Sequence, residues 1–287
     1  KNGSRIVGVR GYVNPVAFSD PESLCNIFSV GLSWIADLNA PLELETNADG
    51  ENVVEDSALS VAETTTLGIF GIDAEAELLN TDVLSIVPYT DLNFIDGAGR
   101  GFHAGVLTTF KFPLVINLQV PVRVEYRRFS NDYRPIYFSS FYEVERFDYA
   151  AEADGVTKAQ FVRNLGDGDG INGYFADAAL DLVGLLQVGA IYEDYEGGDP
   201  NAAVFLNVPA LEVLQFKAFY TKTQIEDVED LATLDDRSYA VAEASYAIYY
   251  PLYFVARATR RWQLNEDSGE YDSIDQWQAG VQLQFQY

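Results

Sequence analysis

The chain has 287 residues and a formal net charge of −26, with 44 acidic against 18 basic side chains. That balance excludes a nucleic-acid partner, whose phosphates need a basic surface, and favours cations. Hydrophobic residues reach 48%, yet no run approaches the ~18 apolar residues of a membrane helix, and the single cysteine, Cys25, rules out an internal disulfide.

Helical periodicity is not sustained anywhere, and segments of period two recur instead. The first is near Arg5 to Tyr12. Residues 37–65 are read as one hairpin turning at Pro41. In 66–78, Phe70, Ile72, Ala74, Ala76 and Leu78 oppose Asp73, Glu75 and Glu77. A short glycine-rich connection, Asp96-Gly-Ala-Gly-Arg-Gly101, follows; it lacks the strand–helix context of a nucleotide loop. His103 is the only histidine, which excludes a multi-histidine metal site. No partner pattern surrounds it, so the chain is read as having no enzymatic activity.

The clearest internal segment is 114–128. Leu114, Ile116, Leu118, Val120, Val122, Val124 and Tyr126 share one face; Asn117, Gln119, Arg123, Glu125 and Arg127 share the other. Its length exceeds the 5–6 residues usual in a soluble sandwich and suits a tilted membrane strand of about 9–11. Gly166 to Gly173 has the composition of a calcium loop, but Leu165 occupies the first ligand position and no Glu closes it, so it reads as a turn. Further alternating segments cover 173–183, 211–223 and 238–250. Pro41, Pro113, Pro209 and Pro251 are read as tight turns at one end of the strands. Acidic connections at 47–63, 224–237 and 264–275 then fall at the other.

The chain closes on Trp277-Gln-Ala-Gly-Val-Gln-Leu-Gln-Phe-Gln-Tyr287, where apolar residues alternate with glutamines and a glycine. This ending resembles the C-terminal strand of Gram-negative outer-membrane β-barrels, including the porins. Those strands finish on an aromatic, usually Phe, preceded by alternate apolar residues: here Tyr287, Phe285, Leu283 and Val281. The resemblance implies that Tyr287, Phe285 and Leu283 form a barrel-assembly signal. It also implies a bacterial outer-membrane location among lipid and lipopolysaccharide.

The expected fold is therefore all-β: a transmembrane antiparallel up-and-down barrel of about 16 strands, with 14–18 compatible, forming a single domain over 1–287. An even count puts both termini on the periplasmic side, and the last strand pairs with the first. The absence of methionine and the start at Lys1 are read as a processed N-terminus. The expected function is porin-like passive diffusion of small hydrophilic solutes, with a preference for cations. Arg123, Glu125, Arg127, Asp177, Asp181, Lys217, Glu243, Arg257, Arg261 and Gln282 are expected to line the pore, with Asp73, Glu75, Glu77, Glu143 and Glu145 as further acidic lining. The alternative is a non-conducting structural barrel anchoring a larger envelope or surface assembly. No cofactor is expected beyond diffuse divalent-cation binding at the acidic loops. A homo-oligomer or a subunit of an envelope complex is compatible with this reading.

Overall fold

A computed structural model describes residues 4–17, 24–48, 52–55, 58–113, 117–135, 137–138, 142, 146–147, 156–164, 166, 168–211, 213–249, 252–265 and 268–283. The strands are β1 (Ile6–Val13), β2 (Phe28–Leu44), β3 (Val54–Glu55), β4 (Ala58–Leu59), β5 (Val61–Ala76), β6 (Leu79–Asn80), β7 (Leu84–Ile95), β8 (Arg100–Phe112) and β9 (Leu118–Phe129). They continue as β10 (Ile171–Leu182), β11 (Leu186–Tyr195), β12 (Asn201–Leu211), β13 (Leu214–Lys222), β14 (Ser238–Tyr249), β15 (Leu252–Leu264) and β16 (Tyr271–Leu283). One helix, α1 (Lys158–Asn164), lies between β9 and β10.

Among the described residues, fourteen strands form one antiparallel up-and-down sheet, while β3 and β4 pair separately as a small hairpin in the β2–β5 connection. The path is β1-β2-β5-β7-β8-β9-β10-β11-β12-β13-β14-β15-β16. Strand β6 pairs with β7 through Leu79↔Ile86 and Asn80↔Ser85, continuing the β5–β7 pairing that runs to Glu75↔Tyr89. It continues β5 beyond an irregularity at 77–78. The sheet's fourteen strands are fewer than sixteen and stand at the lower end of the expected 14–18.

Two features explain the difference. Pro41 does not turn the chain. It lies inside β2, where the pairing with β5 shifts register between Asp37 and Ala40 and again between Pro41 and Glu43. Bulges are where a strand tolerates a residue without an N–H. Pro209 likewise lies within β12, at a shift between Val208 and Leu211. The second feature is the stretch from Ser130 to Gly170. It supplies no strand to the sheet among its described residues and carries α1 instead. This connection is longer than those at 47–63 and 224–237, and it contains Glu143 and Glu145, which lie outside the described residues. Half of the acidic stretch 264–275 is strand, because β15 ends at Leu264 and β16 begins at Tyr271.

The chain divides into two compact units. One comprises Lys1–Ala76, Pro88–Ala104 and Arg127–Asn172; the other comprises Glu77–Val87, Gly105–Tyr126 and Gly173–Tyr287. In the first, the long connection packs against β2, and Leu67, Ile95, Phe129, Tyr137, Tyr142, Ala159 and Val162 are buried. In the second, large apolar side chains stand exposed along the strands, among them Leu180, Val188, Val204, Tyr246, Phe254, Trp277 and Val281. A water-soluble sheet would hide such residues.

Candidate pore lining

Residues opposite one another in an antiparallel pair project to the same face, so register converts sequence alternation into rows. In the second unit one row runs Asp181–Gln187–Asn207–Lys217–Glu243–Arg257–Gln278 across seven strands. Every member is polar. The row one residue along, on the opposite face, is Leu180–Val188–Leu206–Ala218–Ala242–Ala258–Trp277, and every member is apolar. The first unit repeats the arrangement over four strands. Val9–Trp34–Phe70–Phe94 lies on the apolar face and Arg10–Ser33–Gly71–Asn93 on the polar face.

The polar face of the second unit is laced by ion pairs between neighbouring strands. Arg257 on β15 donates from Nε at 3.0 Å and from a terminal nitrogen at 2.6 Å to the Glu243 carboxylate on β14. Arg123 on β9 donates from Nε to Asp177 on β10 at 2.9 Å, and a terminal nitrogen reaches the same oxygen. The Arg123 guanidinium also sits 4.7 Å from the Phe175 ring centre and 3.5 Å from Glu125. Glu125 is buried rather than open to solvent, and in the first unit so is Arg127. Lys217 is registered opposite Glu243, and Arg261 opposite Tyr239 and Ile274. Gln282 lies opposite Tyr253, and Leu283 opposite Leu252. Phe285 and Tyr287 fall outside the described residues.

One further row on this face is less polar than alternation predicts: Ala179–Gly189–Phe205–Phe219–Val241–Thr259–Gln276. A Cβ on Gly189 would come within 2.4 Å of the Phe205 ring, so the ring lies across that glycine.

In the first unit, Asp73 accepts from Arg10 at 2.8 Å, and a Cβ at Gly31 would collide with its carboxylate at 2.3 Å. Asp91 lies 3.7 Å from His103 Nδ1 and accepts from Asn93. His103 packs edge-on to Phe129 at 5.4 Å, and Phe129 stacks on Tyr133 at 5.0 Å. The histidine therefore belongs to a polar-face network beneath the long connection.

Sequence reasoning missed that connection's anchors. Asp37 is fully buried and shares the polar face with Ile6 and Leu67. The Tyr142 hydroxyl donates to it at 2.9 Å, and Arg146 pairs with it at 3.2 Å. Burial, with Tyr137 and Asp37 beside it, pushes the Tyr142 phenol well above its ordinary value. A signal was present: aromatics at 133, 137, 138, 141, 142, 147 and 149 crowd one stretch without period two.

The acidic connection 223–237 is held by its own cations. Lys222 is fully buried and donates to Asp235 at 2.5 Å and to the Thr233 carbonyl at 3.0 Å. Arg237 reaches Asp235 at 2.9 Å and Asp230 at 3.2 Å. The Glu226 N–H, then Arg237, hold the Asp230 carboxyl below its ordinary range. Burial pushes Asp235 up, but hydrogen bonds from Lys222 and Arg237 outweigh it and leave Asp235 low. These two carboxylates are thus engaged within the loop rather than arrayed for diffuse divalent cations.

The sequence matches no protein-family model, and no characterised protein matches it at a significant level.

Proposed function

We propose that this chain is an outer-membrane β-barrel whose polar face encloses a water-filled path for small hydrophilic solutes, with a preference for cations. The observation that carries this reading is the paired rows in the second unit: seven polar residues on one face, seven apolar on the other. A bilayer supplies the apolar solvent that the exposed Leu, Val, Phe and Trp side chains need. Closure leaves no unpaired sheet edge in hydrocarbon. Lumen width grows with strand number. About 8 strands fill with side chains and 16–18 leave an aqueous channel, so fourteen leave a narrower one.

Transport here needs no chemical step. Solutes diffuse past a lining whose charges sort them electrostatically. Neighbouring charges on the lining are paired, so selectivity rests on the residual acidic excess, including Glu75 and Asp181. Unitary conductance in planar bilayers under a salt gradient tests this reading.

A second reading, a non-conducting structural barrel within an envelope assembly, is favoured by one observation: the β9–β10 connection buries Tyr137, Tyr142, Arg146 and Lys158 in the first unit. A protein that folds and inserts yet passes no current would support it.

A further inference from the structure

Strand alternation puts two arginines on the apolar face of the first unit. On β8, Arg100 and Phe102 alternate with Gly101 and His103, and His103 belongs to the polar-face network. Arg100 and Phe102 therefore project to the apolar face. On β9, Arg128 precedes Phe129, which packs against His103 on the polar side, so Arg128 projects the same way as Arg100. Both arginines line a groove of about 380 Å³ together with Leu92, Phe94 and Phe102. Leu92 and Phe94 are apolar-face residues of β7, registered with Ile72 and Phe70 of β5. The groove lies wholly within the first unit.

Arg100 and Arg128 are exposed, and among the described residues neither guanidinium has a hydrogen bond or an ion pair. Arg260 provides the contrast. It also stands in an apolar row, registered between Ala240 and Asp275, and it donates to the Asp275 carboxylate at 2.6 and 2.7 Å. Its charge is cancelled within the protein; those of Arg100 and Arg128 are not. Two like charges beside an apolar surface repel each other, and an anion bound to both offsets that repulsion. A guanidinium presents parallel N–H donors that match two oxygens of a phosphate. The adjoining wall is hydrocarbon, with Phe94 and Phe102 exposed. The ligand that fits both parts carries a phosphate and an apolar chain.

From this juxtaposition we infer that the groove binds a membrane lipid with a phosphorylated headgroup. Arg100 and Arg128 hold the phosphate, while Leu92, Phe94 and Phe102 take the start of an acyl chain. The inference rests on the membrane reading above and adds a partner to it. The net charge makes the claim a demanding one. At −26, the protein as a whole repels anions, so a preference for an anionic lipid has to come from a local site.

The test inserts the full chain into vesicles of equal phosphatidylglycerol and phosphatidylcholine with matched acyl chains, then extracts it in mild detergent. Native mass spectrometry counts the lipids that stay bound, and circular dichroism checks that each variant keeps its strands. The inference expects phosphatidylglycerol to be retained about tenfold over phosphatidylcholine. Arg100→Gln and Arg128→Gln should each weaken that preference, and the double variant should abolish it. Arg260→Gln should leave it unchanged, because Arg260 is already paired. Phe102→Ala should lower retention of phosphatidylglycerol without reversing the preference. Equal retention of the two lipids by the unaltered, inserted chain would overturn the site. So would a folded double variant that keeps the parent's preference. Displacement of the retained lipid by an equal concentration of inorganic phosphate would assign the arginines to a soluble ion and overturn the lipid site. A folded chain that enters no vesicle would sink the membrane reading, and the site with it.

Discussion

Glu243 and Arg257 face each other across β14 and β15, joined by two hydrogen bonds to one carboxylate oxygen. They stand fifth and sixth in the seven-residue polar row, with Lys217 registered on one side and Gln278 on the other. The pair is partly exposed, so its contribution to stability is small, about 0–1 kcal/mol. Its consequence is electrostatic: it neutralises an arginine on the polar face.

Glu243→Gln releases the Arg257 charge on the polar face. The reversal potential under a salt gradient should then move toward anions, with stability almost unchanged. An unmoved reversal potential in a conducting channel would remove this pair from the solute path.

The two faces should respond oppositely to the same substitution. Leu206→Arg places a charge on the apolar face and should destabilise the inserted protein by roughly 2–4 kcal/mol near the membrane midplane. Asn207→Arg, its neighbour on the polar face, should change stability by only about 0.5 kcal/mol. Urea unfolding from lipid vesicles measures both. Equal costs would contradict a lipid-facing apolar row.

Lys222 is buried under the 223–237 connection, and its removal strands Asp235. Lys222→Met should cost about 3 kcal/mol, at the low end for breaking a buried pair, because Arg237 still bonds the carboxylate. Adding Asp235→Asn should recover part of that loss. A single variant as stable as the parent would show that the buried pair holds nothing.

Asp230 and Asp235 have depressed carboxyl pKa values in the fold. A depressed carboxylate contributes stability above its unfolded value, here 3.8, and loses it as pH falls through the folded value. The 223–237 connection should therefore keep its protection from proteolysis at neutral pH and lose it only below about pH 4. Detachment already at pH 6 would contradict these pairings. Tyr142 has the opposite sign. Its phenol is raised, so its contribution is complete below an unfolded value of about 10 and declines as pH rises beyond it. The β9–β10 connection should loosen at alkaline pH, and that pH dependence should be absent in Tyr142→Phe.

Period two was the legible part of this sequence. It located β5, β9, β10, β13, β14 and β16 and sorted their faces, because a half-apolar strand writes its register into alternate residues. It failed where a strand tolerates an irregularity. Pro41 signals a turn in isolation, yet the bulged pairing of β2 with β5 accommodates it. It failed again at 130–170, whose described residues are held by buried aromatics and ion pairs rather than by alternation. Asp37 sits in a strand rich in apolar residues, and nothing local marks it as the acceptor for Tyr142, 105 residues away. The charges on the polar face were found, but their pairing was not, because Arg123–Asp177 is a contact 54 residues apart that only the strand order brings together.

The central claim is a water-filled path along the polar face, and the most direct measurement is current through single molecules in a planar bilayer with a salt gradient. The account predicts stable unitary steps with a cation-selective reversal potential that shifts toward anions in Glu243→Gln. A folded, inserted protein that passes no current would contradict it.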